Sequence, residues 1–290
     1  MTLQYTVVDA FTERAFAGNP ACVIIPGDKT LTSQQMQLIA REYNLSETAY
    51  LTKKESEEAG FARYGLRWFT PTVEAKLCGH ATLASAHVLF AQVETSINTL
   101  KFDTLSGELI ATSLPDGKIQ LEFPAGELHP VSNEVTAKVE KAISQLTEKQ
   151  LAIKNISVGV GYSFEKYMIV EVGTEVSLGG LPVNTGPLVD LAPWGIVVLT
   201  QAEAGGIDFA SRVFGPLVGV PEDPVTGSSH CLLGPYWTKK LNKLDMEPLN
   251  AIQVSPRGGA LTVVWDQAKG MCKLQGDAVT VLKGELLYVP

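Results

Sequence analysis

The spacing of apolar and polar positions along this chain predicts short strands separated by a few helices, and the same plan occurs twice. Strands are predicted over residues 5–8, 21–25, 45–52 and 64–69, then over 100–105, 108–113 and 118–123. Turn residues at Ser106-Gly107 and Pro115-Asp116-Gly117 separate the last three. A helical period runs from an N-cap at Thr32 through Tyr43, with Met36, Ile39 and Ala40 on its apolar face and Asn44 suited to a left-handed end. A charged loop is expected over residues 55–60. Residues 81–90 form a second kind of helix, nearly free of charge. With no polar face to offer water, such a helix must be enclosed.

The second half follows suit. A helix with one charged face is predicted over 133–150, capped by Ser132 or Asn133, followed by strands at 156–160, 167–172, 194–200 and 209–214. An apolar helix is expected over 231–241, and Gly234-Pro235 within it leaves its extent open. Strands at 270–275, 278–282 and 285–289 close the chain.

The duplication is sharpest in two motifs. Arg67-Trp68-Phe69-Thr70-Pro71 leads to Cys78-Gly79-His80-Ala81-Thr82, and Arg212-Val213-Phe214-Gly215-Pro216 leads to Asp223-Pro224-Val225-Thr226-Gly227-Ser228-Ser229. Each is Arg-x-Phe-x-Pro, then an acidic loop, then a glycine opening an apolar helix. Helix N-termini present unpaired N–H groups and the positive end of the peptide dipole, so two of them facing one another would hold a small carboxylate. The fold class expected is α+β, with two pseudo-symmetric halves, each a curled sheet or barrel around a central helix, and the site between them. The halves are placed at residues 1–126 and 127–290, with the last strand free to cross back to the first half.

Composition narrows the function. A formal charge of −8 without a basic block excludes a nucleic-acid surface, and the apolar runs are too short to span a bilayer. The start of the chain lacks the pattern of a secretory leader, so a cytoplasmic protein is expected. The four cysteines, Cys22, Cys78, Cys231 and Cys272, form no C-x-x-C pair and read as reduced thiols. No metal-ligand spacing and no nucleotide fingerprint occurs, so neither metal nor cofactor is expected.

The candidate chemical residues each read two ways. Glu47, on a strand among apolar neighbours, is either an outward glutamate or a desolvated general acid/base with a raised pKa. His80 is either a capping or core histidine or a proton relay at a helix entrance. Asp223 is a turn residue before proline or an acceptor for a substrate group. Ser228 and Ser229 are helix caps or ligand contacts, and Asn19 is a turn residue or a polar contact. Cys78 and Thr226 occupy equivalent places. Two opposed thiols there would suit a racemase, but an alcohol is too weak an acid, and Cys78 reads as a small packing group.

Taken together, these motifs resemble the phenazine-biosynthesis isomerase-like (PhzF) family. The likeness rests on Asp9-Ala10-Phe11 with Phe16-Ala17-Gly18-Asn19-Pro20, on Leu45-Ser46-Glu47-Thr48, and on the two duplicated motifs. The resemblance implies a diaminopimelate epimerase-like fold and cofactor-free proton transfer on a small carboxylate. It implies Glu47 as the catalytic glutamate, the family's Gly-His pair at Gly79 and His80, its aspartate at Asp223 and its serine at Ser228. With the residue reading, Glu47, His80 and Asp223 are expected to be catalytic and Asn19, Gly79, Gly227 and Ser228 to bind substrate. It further implies a homodimer and, through animal members of the family, a WD-repeat protein as partner. Two alternatives follow: a catalytically idle protein-binding module, or a racemase or epimerase using Glu47 with Cys78.

Overall fold

The structure, a computed structural model, describes all residues except 1, 56–59, 94–95 and 162–163. Most of the expected 55–60 loop therefore lies outside the described residues. The chain divides into two compact units, one of Met1–Phe123 with Leu274–Pro290 and one of Pro124–Lys273. The far end of the expected second half, residues 274–290, thus lies in the first unit, the crossing that the sequence left open. Residues 278–286 form one continuous strand, and it pairs antiparallel with Leu3–Ala10, from Leu3 opposite Leu286 to Ala10 opposite Ala278.

The first unit is a sheet in which antiparallel hairpins are joined through parallel steps. Leu3–Ala10 pairs antiparallel with Asn19–Ile24, which lies parallel to Glu47–Lys54. That strand pairs antiparallel with Ala62–Phe69, which lies parallel to Thr99–Thr104. Gly107–Ser113 and Ile119–Pro124 continue it antiparallel. A parallel step needs a crossover connection, and each has a helix: α1 (Ser33–Tyr43) in the first and α2 (Gly79–Phe90) in the second.

The second unit repeats this order. Glu127–Pro130, Ile153–Val160 and Tyr167–Val172 are antiparallel neighbours, and Tyr167–Val172 is parallel to Ile196–Ala202. Phe209–Gly215 follows antiparallel, is parallel to Leu249–Gln253, and that strand pairs antiparallel with Gly259–Asp266. The 3-10 helix Gly186–Leu191 lies within the first crossover, and α4 (Gly227–Lys240) within the second. The remaining helix, α3 (Asn133–Leu146), packs Val139, Ala142, Ile143 and Leu146 into the core of this unit.

Local chemistry sets the helix limits. Thr32 caps α1 by accepting from the Gln35 N–H, and Asn44 ends it in a left-handed conformation, as the sequence predicts. Ser132 caps α3, which stops at Leu146, short of the expected 150. There the Leu146 carbonyl accepts from the Asn184 N–H instead of continuing the helix. Helix α4 runs through Pro235, as the expected span of 231–241 has it, but begins earlier, at Gly227. Proline cannot donate to the Cys231 carbonyl one turn earlier, and the N–H of Gly126 takes that place at 3.0 Å.

Both apolar helices are enclosed as expected: α2 is buried from His80 to Ala86, and α4 from Ser229 to Pro235. In α4 the Trp237 ring stacks on Phe209 at 5.6 Å while its N–H donates to the Thr200 hydroxyl at 2.9 Å. At Gly234 a Cβ would sit 2.7 Å from a Val263 methyl, so glycine permits the helix to approach the sheet closely. His230 lies buried beside Phe209, with its Nδ1 2.8 Å from the Thr226 carbonyl. Burial lowers its pKa to about 4 despite that bond.

A neutral His230 in the folded state and an ordinary histidine in the unfolded chain give a definite pH dependence. The contribution is complete above pH 6.5 and is lost as pH falls from 6.5 to about 4. Its size is about 3 kcal/mol. Urea unfolding of wild type and His230→Asn across this interval should show the variant with the shallower loss of stability.

Candidate active site

Each unit builds its helix entrance with the same clasp. Arg67 at the end of one strand bonds Glu74 through Nε at 2.7 Å and Nη2 at 2.8 Å, with its guanidinium 5.0 Å from the Phe69 ring. Arg212 bonds Glu222 at 2.7 and 2.8 Å and lies 5.2 Å from Phe214. The fork geometry of arginine fixes a carboxylate at two points, so the returning loop is held to its strand just before the helix begins. The second clasp is the more deeply buried, and Arg212 also donates to the carbonyls of Leu178 and Leu181.

In the first unit, the loop held by this clasp delivers Cys78 and His80 to the start of α2. The parallel pairing of Ala21 with Glu47 brings Glu47, the first residue of its strand, to the same place. Glu47 Oε2 lies 3.0 Å from His80 Nε2, and Cys78 Sγ lies 3.5 Å from His80 Nδ1. The Glu47 contact is an ion pair by distance rather than an aligned hydrogen bond, since Oε2 is buried without such a bond among the described residues. The side chain of Glu47 retains 17% exposure and that of His80 only 7%. Asn19 is fully buried nearby in the chain order of the sheet, and its Oδ1 accepts from the Ser46 hydroxyl at 3.2 Å. Gly18 makes this turn possible: it has φ +63°, and a Cβ there would lie 2.3 Å from the Ala10 carbonyl oxygen.

The electrostatics of the three groups are coupled. Burial, helped by the Glu47 charge, pushes the Cys78 thiol up to about 11. Burial by itself disfavours the His80 imidazolium, but the facing Cys78 and Glu47 outweigh it and hold the ring well above the ordinary 6.5. The bland reading of Glu47 as an outward glutamate does not describe this arrangement, nor does helix capping describe His80. Cys78 occupies the cap position of α2 without a side-chain cap bond, and its carbonyl accepts from both the N–H and the hydroxyl of Thr82.

In the second unit, Asp223 ends the strand Val220–Asp223 and accepts from the Thr226 hydroxyl. Gln253 braces the turn: its Oε1 accepts from the Thr226 N–H at 2.8 Å, and its Nε2 donates to the Asp223 carbonyl at 2.6 Å. Gly227 opens α4, and the Ser228 hydroxyl lies 2.7 Å from that of Tyr167. Neither serine caps the helix. Thr226 holds that position without a side-chain cap bond, and Ser229 bonds back to its carbonyl at 2.8 Å. Tyr167 and Gln253 were not singled out from the sequence. Gln253 left one signal there, a polar residue inside the apolar run Ala251-Ile252-Gln253-Val254.

Three donors of different kinds meet in the first unit: a carboxylate oxygen of Glu47, the sulfur of Cys78 and a ring nitrogen of His80 all lie within 4.8 Å of one another. Spacing along the chain gave no such signal, because the strand supplies one donor and the helix entrance the other two. Among the described residues, no helix is long and apolar enough to cross a membrane.

Comparison with known proteins agrees with these features. The family profile described as phenazine biosynthesis-like protein matches residues 8–284. A phenazine biosynthesis-like domain-containing protein 2 of Mus musculus is 41% identical, covering 99% of both chains. An uncharacterized isomerase of Halalkalibacterium halodurans is likewise 41% identical over 99% of both. A crystal structure of a phenazine biosynthesis protein of the PhzF family from Enterococcus faecalis superposes with a TM-score of 0.82 at 36% identity, covering 99% of this chain and all of that one. The fold is the diaminopimelate epimerase-like one, and the role is of the isomerase type. With its two clasped helix entrances and a profile match along nearly its whole length, this chain belongs to the phenazine biosynthesis-like (PhzF) family.

Proposed function

We propose that the protein is a cofactor-independent isomerase that moves a proton on a small carboxylate-containing substrate, with Glu47 as general acid/base. The observation that carries this reading is the buried pair at the start of α2, with Glu47 Oε2 3.0 Å from His80 Nε2. A carboxylate held there, beside an imidazolium and away from bulk water, is placed to remove a proton from an activated carbon and return it elsewhere. His80 offsets the charge that changes on Glu47 during the transfer. The N–H groups opening α2 at Gly79 and His80 favour an anion, and those opening α4 at Gly227 and Ser228 have the same chemistry. Asp223 and Asn19 complete the proposed polar contacts. A racemase using Glu47 with Cys78 is less well supported, because a thiol pushed up to about 11 supplies little thiolate at neutral pH.

The test is hydrogen–deuterium exchange at carbon, followed by NMR in D₂O with a panel of small carboxylates including 2,3-dihydro-3-hydroxyanthranilate. Wild type should catalyse exchange on one class of these, and Glu47→Gln should lose about 10²–10⁴-fold in rate. Full exchange in Glu47→Gln would overturn the assignment of the base. Exchange equal in wild type and Cys78→Ala would count against the racemase alternative.

A second expectation needs no substrate. Removing the Glu47 charge takes away one of the two groups that hold His80 up against burial, so its ring should titrate below the wild-type position in Glu47→Gln, as read from the imidazole nitrogen shifts. In wild type, the exchange rate should persist through neutral pH and fall on the alkaline side as His80 loses its proton.

A further inference from the structure

We propose that Glu47, Cys78 and His80 also form a three-ligand site for Zn²⁺, and that the ion, once bound, blocks proton transfer by occupying the general base. The proposal rests on the same residues as the isomerase reading but concerns a different property of them.

The argument is geometric. Zinc binds imidazole nitrogen at about 2.0–2.1 Å, thiolate sulfur at about 2.3 Å and carboxylate oxygen at about 2.0–2.2 Å. Around a tetrahedral ion, such bonds place the donors roughly 3.3–3.6 Å apart. Here His80 Nε2 is 3.0 Å from Glu47 Oε2 and 4.0 Å from Cys78 Sγ, and the carboxylate and sulfur lie within 4.8 Å. The two His80 Nε2 separations bracket the tetrahedral edges, and the sulfur, which lies 3.5 Å from Nδ1, would shift toward Nε2 by on the order of 1 Å to close the site. The set is one oxygen, one nitrogen and one sulfur, a mixture that suits zinc better than magnesium or calcium.

A second observation points the same way. Glu47 Oε2 is buried without an aligned hydrogen bond among the described residues, leaving a lone pair to donate. The exposure that remains on Glu47 gives an ion a route in. The positive end of the α2 dipole opposes a cation here, and the two anionic ligands, carboxylate and thiolate, offset it. In the binding step, the Cys78 S–H proton and the His80 Nε2 proton pass to solvent. Sulfur, nitrogen and oxygen lone pairs then fill three positions on Zn²⁺, and water takes the fourth. No electron is transferred.

The experiment is a titration of the whole protein with Cd²⁺, which reports thiolate ligation by an ultraviolet charge-transfer band, alongside equilibrium dialysis with Zn²⁺. We expect one tight ion per chain, with the band lost in Cys78→Ser and Zn²⁺ affinity falling at least about tenfold in Glu47→Gln. The buried thiols of Cys231 and Cys272 make the control, because Cys272 Sγ lies 3.7 Å from the Cys231 carbonyl oxygen and the two residues are neighbours. Cys231→Ser should leave band and affinity unchanged. A band that survives in Cys78→Ser, or disappears in Cys231→Ser, overturns the proposal by placing the ion elsewhere, as does the absence of any band in wild type. Thermal melts of the variants separate lost ligation from lost folding. A protein that shows Glu47-dependent carbon exchange without the band keeps the isomerase reading and loses this one.

Discussion

The bidentate arginine–carboxylate pair that precedes each apolar helix is the constraint on which the site depends. An apolar helix such as α2 or α4 gains its stability from enclosure, and enclosure says nothing about where its first turn will lie. The clasp supplies that position. It ties the loop after Ala62–Phe69 or Phe209–Gly215 back to the strand it has just left, so the next residues enter the helix from one fixed point. Both arginines also rest against a phenylalanine two residues on, which helps to orient the guanidinium.

From the same frame the two entrances have developed opposite electrostatics. His80, one residue into α2, faces a carboxylate and is held charged. His230, a turn further along in α4, faces Phe209 and is held neutral. Both are buried, which disfavours the charged form, and the groups facing the ring, Cys78 and Glu47 at His80, decide the outcome. The entrance to α4 instead carries neutral hydroxyl chemistry, with Thr226 on Asp223 and Ser228 on Tyr167. A duplicated fold thus need not give duplicated acid–base chemistry.

Polarity is concentrated at these entrances, although the Thr238 hydroxyl near the end of α4 is buried without a hydrogen bond among the described residues. Elsewhere the two helices bury alanine, leucine, valine and tryptophan, with occasional hydroxyls bonded to carbonyls one turn back, as Ser85 is to Ala81. Where proline removes an internal bond in α4, the N–H of Gly126 replaces it. Backbone groups in an enclosed helix cannot turn to water, so each interruption must be answered by a neighbouring segment.

The sequence by itself determined those features that depend on neighbours within one element. Thr32 and Asn44 mark the ends of α1 because a cap and a left-handed terminus are local chemistry. Helices α2 and α4 are legible as enclosed helices because a missing polar face shows in composition alone. The repeated Arg-x-Phe-x-Pro motif showed the duplication and, with it, the α+β class and the family likeness. What only the tertiary structure decided was pairing between distant segments. Parallel strand register sets Glu47 against His80, a clasp that skips a loop joins Arg212 to Glu222, and Tyr167 reaches Ser228 from another strand. The last strand joins the first unit for the same reason, since its partner is Leu3–Ala10 at the opposite end of the chain. Periodicity records which face of an element is buried, but not which remote residue will be buried against it, and the chemistry of this site is made of such remote contacts.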